Sequence, residues 1–522
     1  MLGSSPLAPG IQACRFGLGV ARVSRTLHAW IVKLICYWLA TVGWAAATNV
    51  VFMMADDFGY MDVGFNNPDA FYDTPRLNAL AKQGMRFTAG YAACPVCSPT
   101  RSSILTGQYP ARTRNTDFFG APNGHAEIPA SYDPAKHGSF EKHAGRPLLP
   151  APYVNQLAAS HTTLAEAFKR HGYATMHAGK WHLGGKGSLP EDHGFEFNVG
   201  GGQAGGPYGK AGYFSPYGNP SLPDGPPGEH LPDRLAGEVA KFIGANKDKP
   251  FFVYLPFYSV HTPLMAPEDL VAKYEERRSS RGLKAVWKEE PPRKARQVQE
   301  HAVYAGMVEA MDRAVGRVLD ALDQHGVAED TIVVFFSDNG GLSTSEGSPT
   351  SNVPYRAGKG WMYEGGIREP LVIRWPKRIK PSQTSATPVI STDFFPTLLE
   401  ACGLPLLPDQ HVDGVSFAKL LADPATPHAR EPLFWHYPHW GNQGGIPCAA
   451  VRDGRWKLIE FYWQKGFELY DLEADPGEQI NLADSRPEIL ARLKTKLAQY
   501  REITNALMPA KNPNPPSNFI AW

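Results

Sequence analysis

Two short acidic runs frame the chemistry open to this chain. Asp56-Asp57 and Asp338-Asn339 offer side-chain oxygens and no thiol, a donor set that suits calcium, magnesium or manganese over zinc or copper. A third segment, Cys94-Pro95-Val96-Cys97-Ser98-Pro99-Thr100-Arg101, sets a cysteine four residues before an arginine. Its C-x-x-C spacing also fits a redox pair or half of a zinc site, but zinc needs two more ligands at comparable spacing, and Cys402 and Cys448 stand alone. Lys180 and His182 lie two apart, on one face of an extended segment, where a cation beside an imidazole suits an oxyanion. His261, in Ser259-Val260-His261-Thr262-Pro263, could act as a general acid. Lys359 is flanked by Gly358 and Gly360, which let backbone approach a ligand closely. Each residue alone also has a plain structural reading: a turn acid, a buried thiol, a packed histidine, a solvated lysine.

Their placement argues for more. The apolar run 49–55 ends in Asp56-Asp57, 331–337 ends in Asp338-Asn339, and 251–256 leads to His261. Such runs read as fully buried parallel strands. Helical periodicity lies between them, at 75–82, 163–171, 231–246, 298–324 and 393–402. The alternation predicts an α/β fold with a large, mostly parallel sheet flanked by helices. Ligands gather at the carboxyl ends of strands in such sheets, where all three segments converge. Residues 115–153, 200–228 and the charged stretch 275–296 read as surface loops, the last as a solvated excursion. After about residue 410 the runs 432–437, 448–453, 456–461 and 468–472, closed by an amphipathic stretch at 487–503, predict a smaller α+β unit carrying an antiparallel sheet.

Composition sets outer limits. The 522 residues are 43% hydrophobic and 20% charged, enough to bury a large core. A formal net charge of +1 gives no electrostatic case for a nucleic-acid partner. Arg15, Arg22, Arg25 and Lys33 precede the apolar run 34–47, which ends in Ala45-Ala46-Ala47. Residues 1–47 therefore read as a signal peptide of an exported protein, periplasmic or secreted, with a retained anchor as the alternative. The run is short for a membrane span, so no stable membrane insertion is expected after cleavage. Cys94, Cys97, Cys402 and Cys448 would remain, too few for a disulfide scaffold in a chain of this length.

The segment Cys97-Ser98-Pro99-Thr100-Arg101 resembles the signature of the type I, formylglycine-dependent sulfatases of the alkaline phosphatase superfamily. Gly172-Tyr173-Ala174-Thr175-Met176-His177-Ala178-Gly179-Lys180-Trp181-His182-Leu183 resembles their second signature. The motifs follow that family's order across residues 49–470. The resemblance implies a catalytic domain at 48–410 and a C-terminal subdomain at 411–522. It implies that a formylglycine-generating or equivalent maturation enzyme converts Cys97 to formylglycine. Asp56, Asp57, Asp338, Asn339 and converted Cys97 would bind one calcium. Arg101 would hold the aldehyde hydrate, Lys180 and Lys359 the sulfate oxygens. His182 would act on the hydrate's second hydroxyl, and His261 would protonate the leaving alcohol. A divalent metal with Arg101, Lys180 and Lys359 outweighs three carboxylates by about two charges, matching a sulfate dianion as it forms; each pair at ~4 Å is worth ~4 kcal/mol at a dielectric of ~20.

Tyr109-Pro110-Ala111-Arg112-Thr113 and Arg452-Asp453-Gly454-Arg455-Trp456-Lys457-Leu458 resemble bacterial arylsulfatases. That implies a sulfated carbohydrate substrate of the galactose or N-acetylgalactosamine sulfate type. His436, Tyr437, His439 and Trp440 are candidates to reach it. Two other readings stand: a formylglycine-dependent phosphate or phosphonate ester hydrolase, and a catalytically inactive exported glycan-binding protein.

Overall fold

The computed structural model describes residues 47–121, 123–128, 145–428, 430, 432–463 and 466–515. The expected signal peptide lies outside them but for its last residue. The described residues from Ala47 onward form one compact unit. No helix among the described residues is long and apolar enough to cross a membrane.

The centre is a nine-stranded sheet. Its order is Gln383–Ser385, Met85–Tyr91, Arg368–Arg374, Thr331–Ser337, Asn49–Ala55, Phe251–Pro256, Ala174–Ala178 and Phe197–Val199, with Val389–Ile390 also beside Met85–Tyr91. Every pairing is parallel except the two made by Arg368–Arg374. The expected mostly parallel α/β sheet is what the chain forms.

Alternation along the strands divides the core. Val51, Met53, Val333 and Phe335 face one side, where helices Pro75–Gln83, Leu231–Asn246 and Ala302–Gln324 bury Leu77, Leu235 and Met311. Val50, Phe52, Ile332 and Val334 face the other, against Ile104, Phe168 and Phe394 of helices Cys97–Thr106, Leu164–Arg170 and Phe394–Ala401. Two covered faces explain why these strands are uninterrupted apolar runs.

Leu433–Tyr437, Cys448–Asp453, Trp456–Phe461 and Gly466–Asp471 form the smaller antiparallel sheet, with helix Pro487–Ile503 packed through Leu493, Leu497 and Tyr500. A buried ion cluster joins it to the main sheet: Lys457 Nζ lies 3.0 Å from Glu364 Oε1 and 2.9 Å from Glu478 Oε1.

Two local expectations need correction. The stretch 275–296 is no simple solvated loop. It holds the end of helix Glu268–Ser280 and a hairpin of Trp287–Glu290 with Arg293–Arg296. Its charges are partly internal, since Glu290 pairs with Arg356 and Arg296 with Glu300, all four ion-pairing groups being at most about one-fifth exposed. The long helix begins at Ala302, not 298, because the His301 side chain accepts from the Tyr304 amide and caps it there.

Candidate active site

Strand register builds the site. Ala55 is paired with Ser337, so the next residues, Asp56 and Asp338, stand side by side at the carboxyl edge. Phe251–Pro256 adjoins the same central strand, and Ala174–Ala178 adjoins that one, ending next to Gly179-Lys180. Gly179 has φ +115°, and a Cβ there would lie 2.1 Å from the Pro256 carbonyl oxygen. Only glycine permits that approach, which lets the Lys180 amide donate to the same oxygen at 2.8 Å.

The acids are fully buried and tied to cations. Lys180 Nζ donates to Asp56 Oδ2 at 2.6 Å, and Lys359 Nζ to Asp57 Oδ2 at 2.8 Å. Arg101, one turn into its helix, donates from Nε and Nη2 to Asp338 Oδ2 at 2.9 and 2.7 Å, and from Nη1 to the Lys180 carbonyl at 2.8 Å. Asn339 Nδ2 donates to Asp57 Oδ1 at 2.8 Å. Burial, the largest influence, pushes Asp56 up to about 8 against the pull of Lys180. At Asp57 burial is outweighed by Lys359, His261 and Lys180 together, which hold the carboxyl well below its usual range.

Cys97 opens helix Cys97–Thr106 and is 2% exposed. Val96 before it brings no capping side chain, so the helix start presents its amides and positive dipole end at the cavity. Burial pushes the Cys97 thiol up to about 12, so as a thiol it stays neutral. Cys94 and Cys97 are not bridged.

The histidines are set by carbonyls. His182, in the left-handed region at φ +55°, donates from Nε2 to Phe119 O at 2.8 Å, leaving Nδ1 as a buried acceptor without a partner among the described residues. His261 donates from Nδ1 to Thr262 O at 2.8 Å, leaving Nε2 3.7 Å from Asp57 Oδ2. Both rings are held well below the usual histidine range, first by burial and then by Lys180 at His182 and Lys359 at His261.

A cavity of about 350 Å³ opens over this set and is lined by Cys97, His182, His261 and Lys359. Its other walls were not legible in the sequence: Phe118 and Phe119, Tyr208, Glu346, Asn442 and Gln443. Phe118, Phe119 and Tyr208 carried one signal, their place in the loops 115–153 and 200–228, and Glu346, Asn442 and Gln443 lie outside every loop singled out from sequence. His436, Tyr437, His439 and Trp440, by contrast, do not line the cavity. His436 bonds Tyr462 and the Leu507 carbonyl, His439 bonds Thr116, and Trp440 donates to the Leu148 carbonyl.

The donor set fits a hard divalent cation. Oxygens of Asp56 and Asp338 lie with Cys97 Sγ within 4.8 Å of one another, and so do Asp57, Cys97 and His261 donor atoms. Among the described residues Asp56 Oδ1 and Asn339 Oδ1 are buried without a hydrogen-bond partner, a costly arrangement that a cation would satisfy.

Fold and site together define an α/β enzyme for an oxyanion ester. The family described as Sulfatase matches residues 48–404, and one described as N-sulphoglucosamine sulphohydrolase, C-terminal, matches residues 357–503. A sulfatase of Formosa agariphila is 31% identical over 88% of this chain and 89% of its own length. The N-acetylgalactosamine-6-sulfatase of Mus musculus is 27% identical over 85% of this chain and 78% of its own. The crystal structure of Ps i-CgsB in complex with k-i-k-neocarrahexaose has a TM-score of 0.69 at 26% identity, covering 87% of this chain and 92% of that one. The chain belongs to the sulfatase family and is a sulfuric ester hydrolase.

Proposed function

We propose that this protein is exported to the periplasm or beyond the cell and removes sulfate from sulfated carbohydrates of the galactose or N-acetylgalactosamine sulfate type. Cys97 is converted to formylglycine by a maturation enzyme, and Asp56, Asp57, Asp338 and Asn339 hold calcium. One observation carries this reading. One cavity is lined by Cys97, His182, His261 and Lys359, and the buried Asp57 lies directly behind the last two, 2.8 Å from Lys359 Nζ and 3.7 Å from His261 Nε2. The substrate class is supported by relatives, one named for N-acetylgalactosamine-6-sulfate chemistry and one crystallised with k-i-k-neocarrahexaose.

Bound, the cation would supply Lewis acidity toward the ester oxygens. Oxidation of Cys97 by the maturation enzyme, with molecular oxygen as the oxidant and loss of the sulfur, would put an aldehyde where the thiol stood, and addition of water would make it a geminal diol. Arg101, locked by three hydrogen bonds, fixes the helix turn that carries it. Lys180 and Lys359 bring charge that grows in value as the sulfuryl group becomes more negative. His182 Nδ1, its lone pair unclaimed among the described residues, would take a proton from the diol. His261, whose Nε2 lies 3.7 Å from Asp57 Oδ2, would give one to the leaving oxygen. It must first gain that proton, and an arriving sulfate favours this by offsetting the repulsion from Lys359.

The test is protein purified from its native host. The peptide containing residue 97 should weigh less than its thiol form, and the enzyme should release sulfate from a defined saccharide panel. Full activity with an intact thiol, or phosphate esters turned over while sulfate esters are not, would overturn the reading.

A further inference from the structure

We infer that Glu346, held by Asn442 and Gln443, forms a subsite that reads a neutral hydrogen-bond donor beside the scissile sulfate and rejects a second anion there. The inference rests on the carbohydrate-sulfatase reading and narrows its substrate. Among the described residues that line the cavity Glu346 is the one acid; the others are a lysine, two histidines, a cysteine and neutral groups. Its side chain keeps 22% exposure, and Oε2 lies 3.8 Å from Lys359 Nζ, beyond hydrogen-bond length. The carboxylate is therefore one side chain away from the group proposed to grip the sulfate.

Its pose is built. Gln443 Nε2 and Asn442 Nδ2 donate to Oε1 at 2.8 and 3.3 Å. Gln443 is fixed in turn, its carbonyl accepting from Trp361 Nε1 at 3.0 Å and Thr344 Oγ1 at 3.2 Å. Glu346 itself adopts φ +54°, a left-handed conformation uncommon for glutamate. These contacts engage Oε1 and leave Oε2 without a hydrogen bond among the described residues, on a residue that lines the cavity. A carboxylate oxygen accepts only. It matches a sugar hydroxyl or an acetamido N–H, and it repels a neighbouring sulfate or a uronate.

The test uses calcium-loaded, matured enzyme and a matched pair of sugars. One is a galactose monosulfate with the neighbouring hydroxyl free; the other carries a second sulfate at that carbon. Wild type is expected to favour the monosulfate by about tenfold or more in kcat/KM, the range of a hydrogen bond to a charged group. Glu346→Gln keeps an acceptor for Gln443 and Asn442 and removes the charge. It is expected to shrink the preference toward unity, mainly by improving the disulfate. An aryl sulfate, which has no such hydroxyl, serves as a third substrate. Equal wild-type turnover of both sugars, or a preference unchanged in Glu346→Gln, overturns the subsite while leaving the carbohydrate reading intact. Wild-type turnover of the aryl sulfate with neither sugar accepted overturns both. If Glu346→Gln fails to fold, Asn442→Ala, which loosens the same carboxylate, must narrow the preference in the same direction.

Discussion

Lys359→Met is the sharpest perturbation of the proposed charge balance. Methionine keeps the length and packing of the stem and removes only the ammonium. A point charge ~4 Å from a sulfate oxygen is worth ~4 kcal/mol at an effective dielectric of ~20. Removing one donor from a preorganised oxyanion site costs about 10²–10³ in turnover. Lys359 Nζ already lies 2.8 Å from Asp57 Oδ2, so part of its field is offset before substrate arrives. The expectation therefore falls at the lower end, about 10²-fold in kcat/KM. Aryl sulfate hydrolysis gives the rate, inhibition by inorganic sulfate reports grip on the anion, and melting with calcium present reports the fold. Loss of turnover with weakened sulfate inhibition and an intact melting transition is the expected pattern. A loss below about threefold in a folded protein, or a collapse of melting that accounts for the lost rate, refutes the assignment of Lys359 to the anion.

Three further outcomes follow from geometry already described. A Cβ at position 205 would lie 2.7 Å from His182 Cε1 and 2.8 Å from Nε2, so Gly205→Ala should tilt the ring and lower kcat by about 10²-fold, with little change in melting; wild-type kcat in a folded variant would show that the ring pose is unimportant. Lys457→Met leaves Glu364 and Glu478 buried without their shared cation, an expected loss of about 3–5 kcal/mol in denaturant unfolding, and adding Glu478→Gln should recover part of it. Asp312 accepts from the amides of Leu77 and Arg76 at 2.8 and 3.0 Å, and burial pushes it up from 3.8 to about 6. The folded state thus holds this proton more tightly than the unfolded chain, a contribution present in full below pH 3.8 and lost as pH rises through about 6. Asp312→Asn cannot titrate, so its melting deficit relative to wild type should be larger at pH 4 than at pH 7, and a pH-independent deficit would contradict the linkage.

What the sequence disclosed and what it hid divide along physical lines. Strands 49–55, 251–256 and 331–337 are covered on both faces, and their unbroken apolar runs announced it. The acids after 49–55 and 331–337 were legible because they recur at two strand ends, which outweighs the turn-acid reading open to any one of them. Arg368–Arg374 was not anticipated: it is antiparallel to both neighbours, and its partners Val333 and Phe87 lie far away in the chain. The cavity walls were hidden for the same reason. Phe119 meets His182, and Glu346 meets Gln443 across 97 residues, through loops whose composition says only that they are loops. His436 and its neighbours misled because aromatic and imidazole groups suit sugars and cores equally, and here the core took them.

The burial of Cys97 has a temporal consequence. At 2% exposure, inside a hydrogen-bonded helix wedged beside a finished sheet, its backbone cannot be drawn out into another enzyme's cleft without unravelling the catalytic core. On the proposed chemistry, folding and maturation are therefore competitors in a race that each newly made chain runs once. A host that folds the chain faster than it modifies it would accumulate stable, well-shaped and permanently silent protein, and the active fraction of a preparation would record the conditions of synthesis rather than those of storage.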